Sequence, residues 1–164
     1  MLSEGSKLPT KLKGILVTPE DVSAKHGKKV SLGELAQKNT LVLYFYPKDD
    51  TPGCTTEALG FRDKYSEFEK RGVKIIGVSR DGVESHCKFM SKHSLNFPLL
   101  VDESGEICEA FGVWVEKKMY GKTYMGIERT TFIVDGGKIV KVFPKVKVKN
   151  HAEEILEYLD SREK

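Results

Sequence analysis

Leu41-Val42-Leu43-Tyr44-Phe45-Tyr46 runs straight into Pro47-Lys48-Asp49-Asp50-Thr51-Pro52-Gly53-Cys54-Thr55-Thr56-Glu57, and this junction decides the fold. The first run is short, rich in branched and aromatic residues, and flanked by turn formers, so it reads as a buried strand. Beyond the second, Ala58, Phe61, Tyr65 and Phe68 recur at helical spacing, as on a helix with one buried face. The loop between them carries two prolines, a glycine and one cysteine.

Local chemistry places the start of that helix. Thr51 is a good N-cap, Pro52 suits the first helical position, and Gly53 allows close backbone approach. Cys54 then lies in the first turn, where amide N–H groups lack intrahelical acceptors. The N-cap hydroxyl of Thr51 reaches toward the third helical residue, which brings it within hydrogen-bonding reach of the sulfur. A thiol so placed is a candidate nucleophile. Keeping a thiol largely ionised at neutral pH takes roughly 3 kcal/mol of differential stabilisation. A helix terminus supplies about 0.3–1 kcal/mol, or ~2 when partly buried. Asp49 and Asp50 oppose it, so a cation from elsewhere is required, and arginine suits because it keeps its charge.

Working outward, the helix from about Pro52 to Lys70 is followed by a buried strand, Val73 to Ser79. A strand, helix and strand of these lengths make a right-handed crossover with parallel strands, and Cys54 lies just beyond their C-terminal edge. A helix over Val83–Ser94, a short strand over Phe97–Val101 and a short helix over Ser104–Phe111 follow. Residues 113–127 read as a hairpin around Gly121, with Trp114, Tyr120 and Tyr124 as its packing residues. Arg129–Val134 and Lys138–Phe143 flank a tight turn at Asp135-Gly136-Gly137. Asn150 and Glu153 suggest a capping box opening a last helix with Ala152, Ile155, Leu156 and Leu159 buried. Upstream, 12–17 and the region around Lys29-Val30 suggest an N-terminal hairpin, and Ser31 to Glu34 a capped short helix to about Lys38. Lysines 145, 147 and 149, alternating with Val146 and Val148, read as a charged edge strand. The expected class is α/β, a single thioredoxin-like domain over residues 1–164, its central mixed sheet flanked by helices, with an N-terminal hairpin and an insertion. In that topology two arginines, Arg129 and Arg80, end at the Cys54 edge, whereas Arg62 is too far along its helix.

Pro47-Lys-Asp-Asp-Thr51-Pro-Gly-Cys54 resembles the Pro-x-x-x-Thr/Ser-x-x-Cys signature of the peroxiredoxins. The longer run Phe45 to Ala58 is similar to the bacterioferritin-comigratory-protein, or peroxiredoxin Q, branch. The resemblance implies a thiol peroxidase that reduces hydrogen peroxide and organic hydroperoxides through a cysteine sulfenic acid, in antioxidant defence. It casts Cys54 as the peroxidatic thiolate, Thr51 as the hydroxyl that orients sulfur and peroxide, and Pro47 as the shield over the pocket. Between the two arginines it chooses Arg129, in Gly126-Ile-Glu-Arg129-Thr-Thr-Phe-Ile-Val-Asp135. Many relatives carry a resolving cysteine at the position of Leu59; others carry it on the following helix, where Met90 stands here. Cys87 lies one turn before Met90 on roughly the same face and is the tentative resolving residue. A one-cysteine mechanism completed by an outside thiol stays open, as does the weaker candidate Cys108. No cofactor is implied. The implied partners are a hydroperoxide substrate and a thioredoxin-like, glutaredoxin-like or small-thiol reductant, and relatives of this branch are often monomers. A thioredoxin-like dithiol oxidoreductase and a non-enzymatic holdase or partner-binding module are the rival functions.

Composition bounds the rest. A chain of 164 residues can bury one substantial core. A net charge of +3 is too small to argue for nucleic acid, and no apolar run approaches the ~18 residues of a membrane span. The N-terminus lacks a signal-peptide core, so a cytoplasmic location is expected. Three widely spaced cysteines, with no Cys-x-x-Cys, argue against a disulfide framework or a zinc site. His86 and His93 stand two helical turns apart with Cys87 and Met90 between them, and no metal site is expected there.

Overall fold

The computed structural model describes residues 1–9 and 11–162. Its strands are β1 (Lys13–Val17), β2 (Lys28–Ser31), β3 (Thr40–Phe45), β4 (Val73–Ser79), β5 (Leu99–Val101), β6 (Trp114–Met119), β7 (Lys122–Ile127), β8 (Thr130–Asp135) and β9 (Lys138–Phe143). The helices are α1 (Leu32–Lys38), α2 (Pro52–Asp63), α3 (Tyr65–Lys70), α4 (Val83–His93), α5 (Glu106–Phe111) and α6 (His151–Arg162). Seven strands form one sheet in the order β2-β1-β5-β4-β3-β8-β9, and β6 and β7 pair as a separate ribbon. β3 runs parallel to β4, and β4 to β5; β8 joins β3 antiparallel and β1 joins β5 antiparallel. This is the thioredoxin-like architecture, with a hairpin at the N-terminus and the β6–β7 ribbon inserted before β8.

β3 organises the core because its side chains alternate between two faces. Val42, Tyr44 and Tyr46 point into one cluster with Phe61 of α2, Phe89 of α4 and Ile155 of α6. Leu41, Leu43 and Phe45 point into the other, with Ala36 of α1 and Ile107 and Phe111 of α5. Each of these large buried side chains contributes on the order of 1.5–3 kcal/mol of transfer free energy. A continuous apolar strand covered on both sides is what a central parallel strand requires.

The turns follow their residues. Tyr120-Gly121 and Gly136-Gly137 all have positive φ, as two-residue hairpins between twisted strands demand. Ser31 accepts the amide of Glu34 and opens α1. Three expectations fail locally. The helix over 52–70 is interrupted at Lys64, whose φ of −103° and ψ of 6° leave the helical range. Residues 145–149 form no strand, because Lys145 adopts φ of 48° directly after Pro144 and breaks the extended run. Asn150 likewise stands at φ of 60°, with its carbonyl accepting from the Glu154 amide, so it turns the chain into α6 by its backbone and not as a capping box.

Gly77 in β4 has a reason to be glycine. A Cβ there would lie 2.7 Å from Cζ of Tyr44 and 2.8 Å from Cδ2 of Leu99. Gly77→Ala should therefore lower unfolding stability by about 1–3 kcal/mol through overpacking, read from the urea midpoint at unchanged slope.

Candidate active site

The loop leaving β3 is shaped by its backbone. The Tyr46 amide still donates to Val78 O at 3.1 Å, so the chain holds to the sheet for one more residue. Asp50 then adopts φ of 58°, and this left-handed step brings the Lys48 carbonyl under Thr51. The Thr51 hydroxyl donates to that carbonyl at 2.9 Å. Thr51 thus occupies the N-cap position of α2, with extended φ and ψ, but its side chain makes no capping bond to the helix and is turned toward Lys48 instead of the sulfur. Pro47 is exposed at the start of the loop.

Cys54 sits at the third residue of α2 and is buried, 1% exposed. Its partner comes from the far end of the chain. Because Phe45 pairs with Thr130, the residue before β8 arrives beside the end of β3. That residue is Arg129, whose Nη2 donates to Cys54 Sγ at 3.3 Å while Nη1 donates to Glu57 Oε1 at 2.7 Å. Gly53 leaves room for this approach, since a Cβ there would lie 3.2 Å from Nη2. Burial opposes the charge on Arg129, but Glu57 and Cys54 outweigh it and hold the guanidinium proton more tightly than in water. Arg80, equal to Arg129 on topology, goes elsewhere: it stacks on Trp114 at 4.4 Å and donates to Glu103 O.

Glu57 escapes a reading of the sequence by roles, although it lies within the motif and one turn from Cys54. It is 2% exposed, and its Oε2 and the hydroxyl of buried Tyr44 find no partner among the described residues. Burial pushes the Glu57 carboxyl up to about 7 against the pull of Arg129. Tyr44 is pushed well above its usual range, by burial first and then by Glu57 and Asp49. Lys117 of β6 is a second missed residue: it is half-buried, with its stem across Gly126. Burial and then Arg129 lower its proton affinity, while Glu128 and Cys54 act the other way.

The other two cysteines are both free and buried, and neither faces Arg129. Cys87 shares the Cys54 side of the sheet but lines a groove of about 1210 Å³ between α4 and the segment around Val22 and Lys25. Burial, then Asp21, raises its thiol above the ordinary value. Cys108 belongs to the opposite cluster, and burial followed by the hydrogen bond to Asp102 pushes its thiol far up.

A nucleophile at a helix entrance, a guanidinium fork and a thioredoxin-like frame point to one group of proteins. The model of the AhpC/TSA family matches residues 15–143. The chain belongs to that family. Among its AhpC/TSA relatives, a putative peroxiredoxin bcp of Coxiella burnetii is 48% identical over 153 residues, covering 93% of this chain and 95% of that one. Peroxiredoxin Bcp of Bacillus subtilis is 51% identical over 140 residues, covering 85% and 88%. A PrxQ mutant of Xylella fastidiosa superposes with a TM-score of 0.89 at 36% identity, covering 100% of this chain and 99% of that one. The bacterioferritin comigratory protein of Xanthomonas campestris, described for its alkyl peroxide reduction activity, gives 0.82 at 42% identity, covering 96% and 98%. Within the AhpC/TSA family this chain is therefore a peroxiredoxin of the Bcp type, a thiol peroxidase by class. No helix among the described residues is long and apolar enough to cross a membrane.

The raised Glu57 carboxyl has a signed consequence for stability. Between its unfolded value of 4.5 and its folded value of about 7, the folded chain binds more protons than the unfolded one. Its contribution is therefore complete below the unfolded value and is lost as pH rises through about 7, a change on the order of 3 kcal/mol. Glu57→Gln should flatten this decline, so urea unfolding of the two proteins at about pH 5 and about pH 8 should show the wild type losing more stability.

Proposed function

We propose that this peroxiredoxin reduces hydrogen peroxide and organic hydroperoxides with Cys54 as its peroxidatic thiolate, in antioxidant defence. The observation that carries the assignment is the 3.3 Å contact between Arg129 Nη2 and Cys54 Sγ. A guanidinium fixed on a buried sulfur places a positive charge beside the atom that carries the negative charge in a thiolate, the reactive form of a thiol. The thiolate attacks the terminal oxygen of ROOH; the O–O bond breaks, sulfur is oxidised to sulfenic acid, and RO⁻ takes a proton to leave as water or an alcohol. Arg129 and the first-turn amides of α2 stabilise charge on the peroxide oxygens as that bond breaks. Thr51, released from the Lys48 carbonyl, orients the peroxide, and Pro47 covers the loop side of the pocket. Alkyl peroxide reduction by the Xanthomonas relative supports the organic substrate.

Recycling has two routes. Cys87 is on the same side of the sheet as Cys54, but its sulfur faces the groove beside Lys25, so a Cys54–Cys87 bridge requires the first turn of α2 and part of α4 to unwind until the Cα atoms lie within about 7 Å. Otherwise an outside thiol, from a thioredoxin-like or glutaredoxin-like protein or a small molecule, reduces the sulfenic acid. Cys108 is the weakest resolver, being across the sheet. The working form is taken as a monomer in the cytoplasm. A dithiol oxidoreductase is disfavoured because Glu57 occupies the position where a Cys-x-x-Cys motif would place its second thiol.

Cys54→Ser should abolish peroxide consumption with a thiol donor, and retained turnover overturns the assignment. Arg129→Ala should slow Cys54 oxidation roughly 10- to 100-fold, the scale of one lost hydrogen bond to a charged group. Mass spectrometry after one equivalent of peroxide should then show either a 54–87 crosslink or a sulfenic acid that an added thiol captures.

A further inference from the structure

A buried cluster on the other side of the active-site loop has no part in the chemistry above. The Asp49 carboxylate, 7% exposed, accepts from the Tyr46 hydroxyl at 2.6 Å on Oδ1, and Oδ2 accepts from the Ser85 hydroxyl at 2.8 Å. His86, fully buried in α4, places Nδ1 2.7 Å from the same Oδ2, and its Nε2 lies 3.0 Å from the Leu100 carbonyl. Below them the Asp49 amide donates to Asp81 Oδ2 at 2.9 Å, and that oxygen also accepts from Ser79 at 2.7 Å. The ring nitrogens of His86 thus face two acceptors. A carbonyl can only accept, so Nε2 donates to Leu100 O, and Nδ1 meets the Asp49 carboxyl at 2.7 Å. The next residue repeats the link at the surface, where Asp50 accepts from Lys92 at 2.8 Å and lies 3.0 Å from His93 Nε2.

We propose that His86 and Asp49 are positioning residues for the peroxidatic loop, locking residues 47–51 onto α4 so that Thr51 and Cys54 are held ready for peroxide. This rests on the reading of Cys54 as the peroxidatic thiolate. Asp49 is five residues from Cys54 and two from Thr51, and its side chain is the only one in the 47–51 loop buried in the core. The links from α4 into this loop run through Asp49 in the core and through Asp50 at the surface, and the Asp49 link is the buried one. Buried charged hydrogen bonds of this kind fix geometry more than they add stability. Asp49, Asp81 and His86 also lie close enough together to ligate a cation. Both oxygens of Asp49, both ring nitrogens of His86 and Oδ2 of Asp81 are already committed to the contacts above, which favours the hydrogen-bonded lock.

The test uses the full chain with His86→Asn and Asp49→Asn, and Leu159→Ala in α6 as a control that loses core packing without touching the Asp49 and His86 hydrogen bonds. Two readouts are needed: the rate at which hydrogen peroxide oxidises Cys54, and amide hydrogen exchange over 47–51 and 83–93. Both lock variants should oxidise roughly 10- to 100-fold more slowly, the scale of a misplaced reacting group, with faster exchange in both segments. The control should keep the wild-type rate and exchange pattern at comparable thermal destabilisation. Where the His86 or Asp49 variants do not fold, Ser85→Ala removes one donor and should move both readouts the same way by less. Wild-type rates and exchange in the lock variants overturn the proposal, as does a chelator that abolishes protection in the wild type. A wild-type chain that does not consume peroxide refutes the peroxidase reading instead, and the exchange readout still decides the lock.

Discussion

One guanidinium shared between a sulfur and a carboxylate is the constraint on which the site depends. Arg129 offers two parallel N–H directions in a rigid fork, so it can hold Cys54 and Glu57 at once where a lysine could hold neither in fixed geometry. The two acceptors compete. When Glu57 is ionised it anchors the arginine but also neutralises part of its field; when Glu57 is protonated the full charge acts on the sulfur. With the carboxyl pushed up to about 7, both situations are populated near neutrality. Glu57 is thus tuned by burial to orient Arg129 without fully cancelling it.

The sheet makes this pairing possible because register is specified across the molecule. Phe45 opposite Thr130 fixes where the chain enters β8, and the backbone of Arg129 is pinned from a third direction by the Val146 amide donating to its carbonyl at 2.9 Å. The Thr130 hydroxyl closes the turn on Glu128 O at 2.9 Å. The irregular segment after β9, which fails to form an edge strand, therefore has a use: its departure from the sheet lets Val146 reach Arg129. A slip of one residue in β8 would send Arg129 to the other face.

The fold was legible because its signals are local. Six apolar residues before a proline, glycines at the hairpin turns and helical spacing in 58–68 each needed only neighbours in sequence. The site was legible in part. Cys54 and Thr51 follow from helix-entrance chemistry, but topology alone left Arg129 and Arg80 equal, and only resemblance separated them. What sequence reasoning missed is of two kinds. Locally, the Thr51 hydroxyl serves Lys48 across a left-handed Asp50, a conformation that aspartate tolerates but adopts only sometimes. Glu57 had a usable signal: it lies on the face shared by Cys54, Ala58 and Phe61, and a carboxylate on a core face must find a cation. Asp49 was read only as a charge opposing the thiolate, whereas its side chain is committed to Tyr46, Ser85 and His86.

That commitment bears on how a sulfenic acid at Cys54 could be reached. The loop is bound on one side through α2 to Arg129 and on the other through Asp49 and Asp50 to α4. Unwinding the first turn of α2 to bring the sulfur outward breaks the Arg129 contact. On the proposed reading, oxidation of the sulfur to a neutral sulfenic acid removes one of the two partners of the guanidinium and leaves Glu57, so the first turn is held more weakly. On that reading opening is coupled to oxidation through the loss of this contact. The ties to α4 involve no atom of that chemistry, so on the proposed reading they limit how far the opening spreads.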